Sequence, residues 1–318
     1  MDTQHLLDPS AQDFVRAFPS YDPAKHSLAE HRRIVADSYS QRVPPRPLNY
    51  EERRIAGFKD APAVRVLLYR PESATPGMPA VIHLHGGGFF SGTAEMVGSE
   101  SRSICDKHGA MVVAVDYRLA PEHPFPGPVE DCYAALDWLF NHAEELGVDP
   151  TRIVVMGGSA GGGLAAALTL LARDRAKYKL RAQLLIYPML DPRTGTPEAP
   201  IDNASTGQFV WTRETNRFGW EQMLPDHTIP SEAIGYYAPA LAADLSGLPE
   251  TFIAVGALDL LLEESVAYAL RLTRAAVPVE AHIYPGAPHG FRSIKGRPGE
   301  HLSLDLDRAF NRFLAVLS

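Results

Sequence analysis

Only two of the 318 residues are cysteine, Cys105 and Cys132. No disulfide framework can hold such a chain together, and two buried thiols in a reducing cytoplasm are expected. Basic charge is not in excess either: the net charge is −8, which argues against a nucleic-acid or anionic-membrane partner. The start, Met-Asp-Thr-Gln-His, lacks the basic and then apolar layout of a signal peptide, so a cytoplasmic location is expected. No internal repeat or low-complexity segment is evident. What is present is globular: 45% of residues are hydrophobic and 21% charged, at a length suited to one large domain or a domain with an insertion.

One long uncharged run, residues 153–172, invites a membrane reading. Glycines 157, 158, 161, 162 and 163 in its first half argue against that. The run starts as a β-branched strand pattern, breaks at Gly157 and Gly158, and resumes as an alanine- and leucine-rich helix pattern. Gly157, Ser159 and Gly161 form Gly-x-Ser-x-Gly, the mark of a serine exposed at a sharp strand-to-helix turn. A dinucleotide fingerprint competes, since Gly161, Gly163 and Ala166 fit Gly-x-Gly-x-x-Ala. That fingerprint needs an acidic residue about 20 positions on, where the chain reads Leu180, Arg181, Ala182.

Helix-like pieces are expected at 11–18 and 28–39, closed by Pro44, Pro45 and Pro47. Strands are expected at 54–58, 64–69, 80–85, 111–116, 153–156, 182–187, 251–255 and 279–284, the first two close enough to pair as an edge hairpin. Between the later strands lie helical patterns, as at 129–146. Strands alternating with helices imply a mostly parallel sheet of about eight strands. Residues 192–247 break the alternation with Pro192, Pro197, Pro200, Pro225, Pro230 and Pro239 and the aromatics Phe209, Trp211, Phe218 and Trp220. They are too long for a connecting loop and read as an inserted helical cap. The division is therefore 1–50 as the N-terminal part of the cap, 51–191 and 248–318 as the two parts of the core, and 192–247 as the inserted cap segment.

The glycines after His85, at 86, 87 and 88, follow a strand and leave backbone N–H groups unshielded, as an oxyanion site requires. His83 and His85 also resemble the two-histidine start of some metallohydrolase sites. Those continue with an aspartate where this chain has Gly87, and no His-Glu-x-x-His occurs, so no metal is expected. A serine nucleophile needs a base and the base an orienter. His289 lies in a loop after the last strand, and Asp259 follows the strand at 251–255. Glu263 and Glu264 come next, as acids suited to a helix's first turn. The order Ser159, Asp259, His289 is that of α/β-hydrolases, with all three at carboxyl ends of strands.

Together with residues 116–126, Asp-Tyr-Arg-Leu-Ala-Pro-Glu-His-Pro-Phe-Pro, and with His289, Gly290 and Phe291, these motifs resemble the hormone-sensitive lipase family of esterases. The resemblance runs from about residue 50 to the end. It implies an α/β-hydrolase fold, Ser159 as nucleophile, His289 as base, Asp259 as orienter, and Gly86, Gly87 and Ala160 as oxyanion donors. It also implies a cap built from the N-terminus and the insertion, with residues 116–126 as structural support. One position departs: the family usually has an acidic residue or threonine before the nucleophile, and this chain has Gly158. That change leaves the triad intact and bears on pH optimum and acyl preference.

The function expected is hydrolysis of short- to medium-chain esters, with no cofactor and a small-molecule ester as substrate. A non-catalytic hydrolase-like binding protein is the rival, disfavoured because every triad member is kept. The sequence leaves a homodimer open. Phe89, Phe90, Phe209, Trp211 and Leu260 are expected to line the substrate pocket. Trp211 is expected either as a wall of that pocket or as packing within the cap.

Overall fold

The computed structural model describes residues 2–18, 21–22, 25–42 and 48–316. The cluster Pro44, Pro45 and Pro47 lies outside the described residues. The chain enters through α1 (Gln12–Ala17) and α2 (Leu28–Arg42), then β1 (Glu51–Ile55), β2 (Val64–Tyr69), β3 (Met78–Leu84), α3 (Gly98–His108) and β4 (Met111–Asp116). It continues through α4 (Gly127–Asn141), α5 (Ala143–Leu146), β5 (Val148–Gly158), α6 (Ala160–Arg175) and β6 (Ala182–Ile186). Then come α7 (Arg213–Met223), α8 (Ile234–Tyr237), β7 (Glu250–Gly256), α9 (Leu262–Arg274), β8 (Val279–Tyr284) and α10 (Arg297–Phe313).

The eight strands form one sheet in the order β1-β2-β4-β3-β5-β6-β7-β8. β1 and β2 pair antiparallel at one edge, and β2 also runs antiparallel to β4. From β4 to β8 every pairing is parallel. Parallel strands need helical crossovers, and these cover both faces. That is why the central strands are continuously apolar: Val113, Val115, Ile153 and Val155 pack on one face with α4 and α6. Val112, Ala114, Val154 and Met156 pack on the other with α3 and α10. The β8 edge is less covered, with Ile283 54% exposed and Glu280 and His282 at its rim.

The uncharged run of the sequence becomes the end of β5 and the helix α6, whose residues 160–172 are all buried. Among the described residues no helix is long and apolar enough to cross a membrane. β3 is flanked by β4 on one side and β5 on the other, so the chain reverses its winding there. A crevice opens outside the carboxyl ends of β3 and β5 at such a switch point. The segment between β6 and β7 contributes α7, α8 and short 3₁₀ turns at Ser231–Ala233 and Pro239–Leu241.

Candidate active site

Ser159 sits between β5 and α6 with φ 58° and ψ −124°, a conformation that costs energy in a non-glycine residue. The surroundings enforce it. A Cβ on Gly157 would lie 2.2 Å from the carbonyl oxygen of Gly161, and one on Gly161 would lie 2.3 Å from that of Leu84. Only glycine allows strand, turn and helix to approach this closely. The Ser159 N–H donates to Ile186 at 2.9 Å, and its carbonyl accepts from Gly163 and Met189, which pin the turn from three sides.

His289 stands in the loop after β8, tied back where Leu258 N–H donates to the Ala287 carbonyl at 3.0 Å. Its Nδ1 lies 2.8 Å from Asp259 Oδ2 and its Nε2 lies 2.9 Å from Ser159 Oγ. With the Nδ1 proton given to the carboxylate, Nε2 is left to accept from the serine hydroxyl. Asp259 is fully buried, and its other oxygen accepts from Leu261 N–H at 3.0 Å. The rings of Tyr187, edge-on at 4.8 Å, and Trp211, at 5.7 Å, enclose the imidazole. The structure thus brings Ser159, Asp259 and His289 into one hydrogen-bonded chain.

Gly86 and Gly87 line the cavity that opens over Ser159, and Gly87 has φ +125°. A Cβ on Gly87 would fall 2.0 Å from the Ser91 carbonyl oxygen, so the tight turn excludes any other residue. Ala160 is the first residue of α6, where N–H groups have no partner inside the helix. Among the described residues no backbone hydrogen bond uses the N–H of Gly86, Gly87 or Ala160. Residues 116–126 brace this loop. Tyr117 donates its hydroxyl to the His85 carbonyl at 2.7 Å and stacks on the His85 ring at 4.1 Å. Ala120 N–H donates to the Phe89 carbonyl at 3.0 Å. From α2, Arg32 donates to the carbonyls of Phe90 and Ala120 and to both oxygens of Glu122.

The cavity measures about 180 Å³. Of the residues expected to line a substrate pocket, Phe90 and Trp211 are among the walls of this cavity and Phe89, Phe209 and Leu260 are not. Phe89, whose φ is +71°, is buried in the core against Trp220 at 5.1 Å. Phe209 packs in the core on the sheet's α10 face, and Leu260 packs beneath Gly207. In their place stand residues that the sequence did not single out, among them Phe14, Tyr21, His31, Tyr187, Glu100 and Arg292. Nothing in the local pattern of α1 or α2 marks which residues will meet the serine. Tyr187 and Arg292 had a weak signal, being the residue after β6 and a neighbour of His289. Burial holds His31 well towards neutrality, with its pKa down to about 4.

Glu264 lies in the first turn of α9, as the sequence suggested, and is turned away from solvent. It is buried, accepting from Leu190 N–H at 2.7 Å and from the Thr194 hydroxyl. Burial raises its carboxyl well above the usual range, against the pull of those two hydrogen bonds. Beside Gly158, a Cβ would meet the Tyr187 ring at 3.3 Å, so an aromatic ring occupies space next to the backbone there. His83 and His85 do not converge on a shared centre. His83 Nδ1 pairs with Ser101 Oγ at 3.0 Å and His85 Nδ1 with the Gly86 carbonyl at 2.7 Å. Cys105 and Cys132 are both free and buried.

Comparison with known proteins shows the family. A family model described as the α/β hydrolase fold matches residues 81–293. Carboxylesterase NlhH of Mycobacterium tuberculosis is 37% identical over 248 residues, 76% of this chain and 75% of that protein. An arylesterase of Saccharolobus solfataricus is 31% identical over 298 residues, 91% of this chain and 95% of that protein. The solved structure of a bacterial heroin esterase superposes with a TM-score of 0.91 at 35% identity, covering 99% of this chain and 100% of that one. By sequence and by fold, the chain belongs to the hormone-sensitive lipase-like family of α/β-hydrolases.

Proposed function

We propose that this carboxylic ester hydrolase works through Ser159 as nucleophile, with His289 as general base and Asp259 as orienter, on short- to medium-chain acyl esters. The observation that carries the reading is the hydrogen-bonded chain from Asp259 through His289 to Ser159 on the cavity wall. Ser159 Oγ attacks the ester carbonyl as His289 Nε2 takes its proton. The carbonyl becomes an oxyanion held by the N–H groups of Gly86, Gly87 and Ala160, which have no backbone partner among the described residues. His289 then returns the proton to the departing alcohol, leaving an acyl-serine. Water repeats the attack with His289 again as base, and a carboxylic acid leaves. Asp259 fixes the imidazole tautomer and offsets the positive charge that forms on it.

The preference for smaller acyl groups rests on the small volume and largely aromatic walls of the cavity, Phe14, Phe18, Tyr21, Phe90 and Trp211. Relatives named carboxylesterase, arylesterase and ethyl acetate hydrolase fit that choice. We read residues 1–50 and 192–247 as one cap over a core made of 51–191 and 248–318, since both stretches supply cavity walls. Two unpaired, buried cysteines fit a reducing compartment, and we take the enzyme to work in the cytoplasm. Turnover of p-nitrophenyl butyrate by Ser159→Ala tests the reading. The expected residue is ~10³–10⁴ over the uncatalysed reaction, from oxyanion contacts and binding alone. Near-normal turnover by the folded variant would sink it.

A further inference from the structure

The cavity over Ser159 is apolar along most of its wall, with one ionic exception. Arg292, three residues after His289, and Glu100, on α3, both line it and are in contact with each other. Each side chain is only 22% exposed. Glu100 is engaged on both sides: Arg292 approaches one oxygen, and His83 Nε2 lies 3.6 Å from the other. His83 brings no charge of its own, because burial holds its imidazole neutral. Arg292 is not satisfied in the same way. A guanidinium carries five N–H donors. Among the described residues the Glu100 contact is the one ion pair or hydrogen bond that Arg292 makes. Behind the pair, toward α10, a second cavity of about 170 Å³ has the same two residues in its wall, with Lys107, His108 and Asp307 beyond.

A half-buried guanidinium with donors to spare is costly unless something accepts from it. Burial pushes its pKa down to about 9, the direction expected of a cation short of compensation. We propose that Arg292 is a specificity-determining residue that selects esters carrying a carboxylate, held by the donors that Glu100 leaves free. The choice of a carboxylate follows from donor count and geometry, since a planar fork matches a planar acceptor pair. Glu100 acts against the same ligand through charge and so sets the strength of the preference. This rests on Ser159 being the nucleophile of an ester hydrolase and adds the class of ester.

The test compares kcat/KM for anionic and neutral esters in two matched pairs. Mono-p-nitrophenyl glutarate against p-nitrophenyl butyrate places the carboxylate on the acyl side. 4-Butyryloxybenzoate against phenyl butyrate places it on the alcohol side. A ratio taken on one enzyme preparation cancels any loss of folded protein. A hydrogen-bonded charge pair contributes enough that Arg292→Met should lower the anionic-to-neutral ratio by about tenfold or more in one pair. Glu100→Gln should move the same ratio the other way. Ratios unchanged within about threefold in both pairs, or moved in the same direction by both variants, would overturn the proposal. Turnover of the neutral ester by the unaltered enzyme reports on the Ser159 reading separately, so the two failures are distinguishable.

Discussion

Trp211 offers the sharpest test of how the cavity selects its acyl group. Its indole lines the cavity, stands 5.7 Å from the His289 ring and stacks on Phe90 at 6.4 Å. It is also structural: Nε1 donates to the buried Asn216 Oδ1 at 2.9 Å, and the side chain is only 7% exposed. Trp211→Ala should therefore do two things. Removing a buried tryptophan costs ~3–5 kcal/mol, which a domain stable by ~5–15 kcal/mol can survive. The vacated space should also accept a longer chain. At ~0.8 kcal/mol per buried CH₂, the four further methylenes of octanoate over butyrate contribute ~3.2 kcal/mol, or roughly 200-fold in kcat/KM. The assay is kcat/KM over p-nitrophenyl acetate, butyrate, hexanoate and octanoate, each normalised to butyrate on the same preparation, beside a thermal melt. The octanoate-to-butyrate ratio should rise by about that factor. A lowered melting temperature with the chain-length profile unmoved would show that the indole only packs the cap.

Asp259→Asn should lower kcat by ~10⁴ through the wrong imidazole tautomer, while Glu263→Gln, whose carboxylate accepts from Asn203 at 2.8 Å, should change kcat little. A crippling Glu263→Gln would mean that the orienting carboxylate is misassigned. Glu264 gives a stability prediction with a definite sign. Its folded-state pKa lies above that of the unfolded chain, so the folded protein holds the proton more tightly and loses stability as pH rises from about 4.3 upward. Glu264→Gln should flatten that decline in a series of thermal melts and leave kcat within about threefold; an unaltered slope would contradict the assignment. Gly158→Ala should press on the Tyr187 ring, which packs edge-on to His289, and lower kcat modestly without unfolding the protein. A rate equal to that of the unaltered enzyme would show that Tyr187 yields without disturbing the imidazole.

Much of the fold was legible because parallel strands covered on both faces are written as apolar runs. The strand expected at 279–284 matches β8 at both ends, and 64–69 and 111–116 match β2 and β4. β1 lies three residues earlier than expected, because Glu51, Glu52, Arg53 and Arg54 on an exposed edge carry no apolar pattern. β5 begins at Val148, not Ile153, since its start runs through Asp149 and Pro150 and pairs with β3 only across a register shift. The candidate site was legible where backbone geometry dictates residue type: the elbow glycines, the turn at Gly87, and Asp259 and His289 after strand ends. What was not legible depends on packing between distant segments. No local pattern places Tyr21 or His31 against the cavity, turns Phe89 inward, or buries Glu264 beneath the chain that follows β6. The pairing of Glu100 with Arg292 joins residues far apart in sequence and leaves no mark in either segment.

The central claim is that Ser159 is the nucleophile, activated by His289. Its most direct measurement is reaction with a fluorophosphonate followed by mapping of the labelled peptide. Stoichiometric label on Ser159, lost together with esterase activity in His289→Ala, is the expected result. Label on another residue, or full esterase activity with Ser159 unmodified, would contradict it.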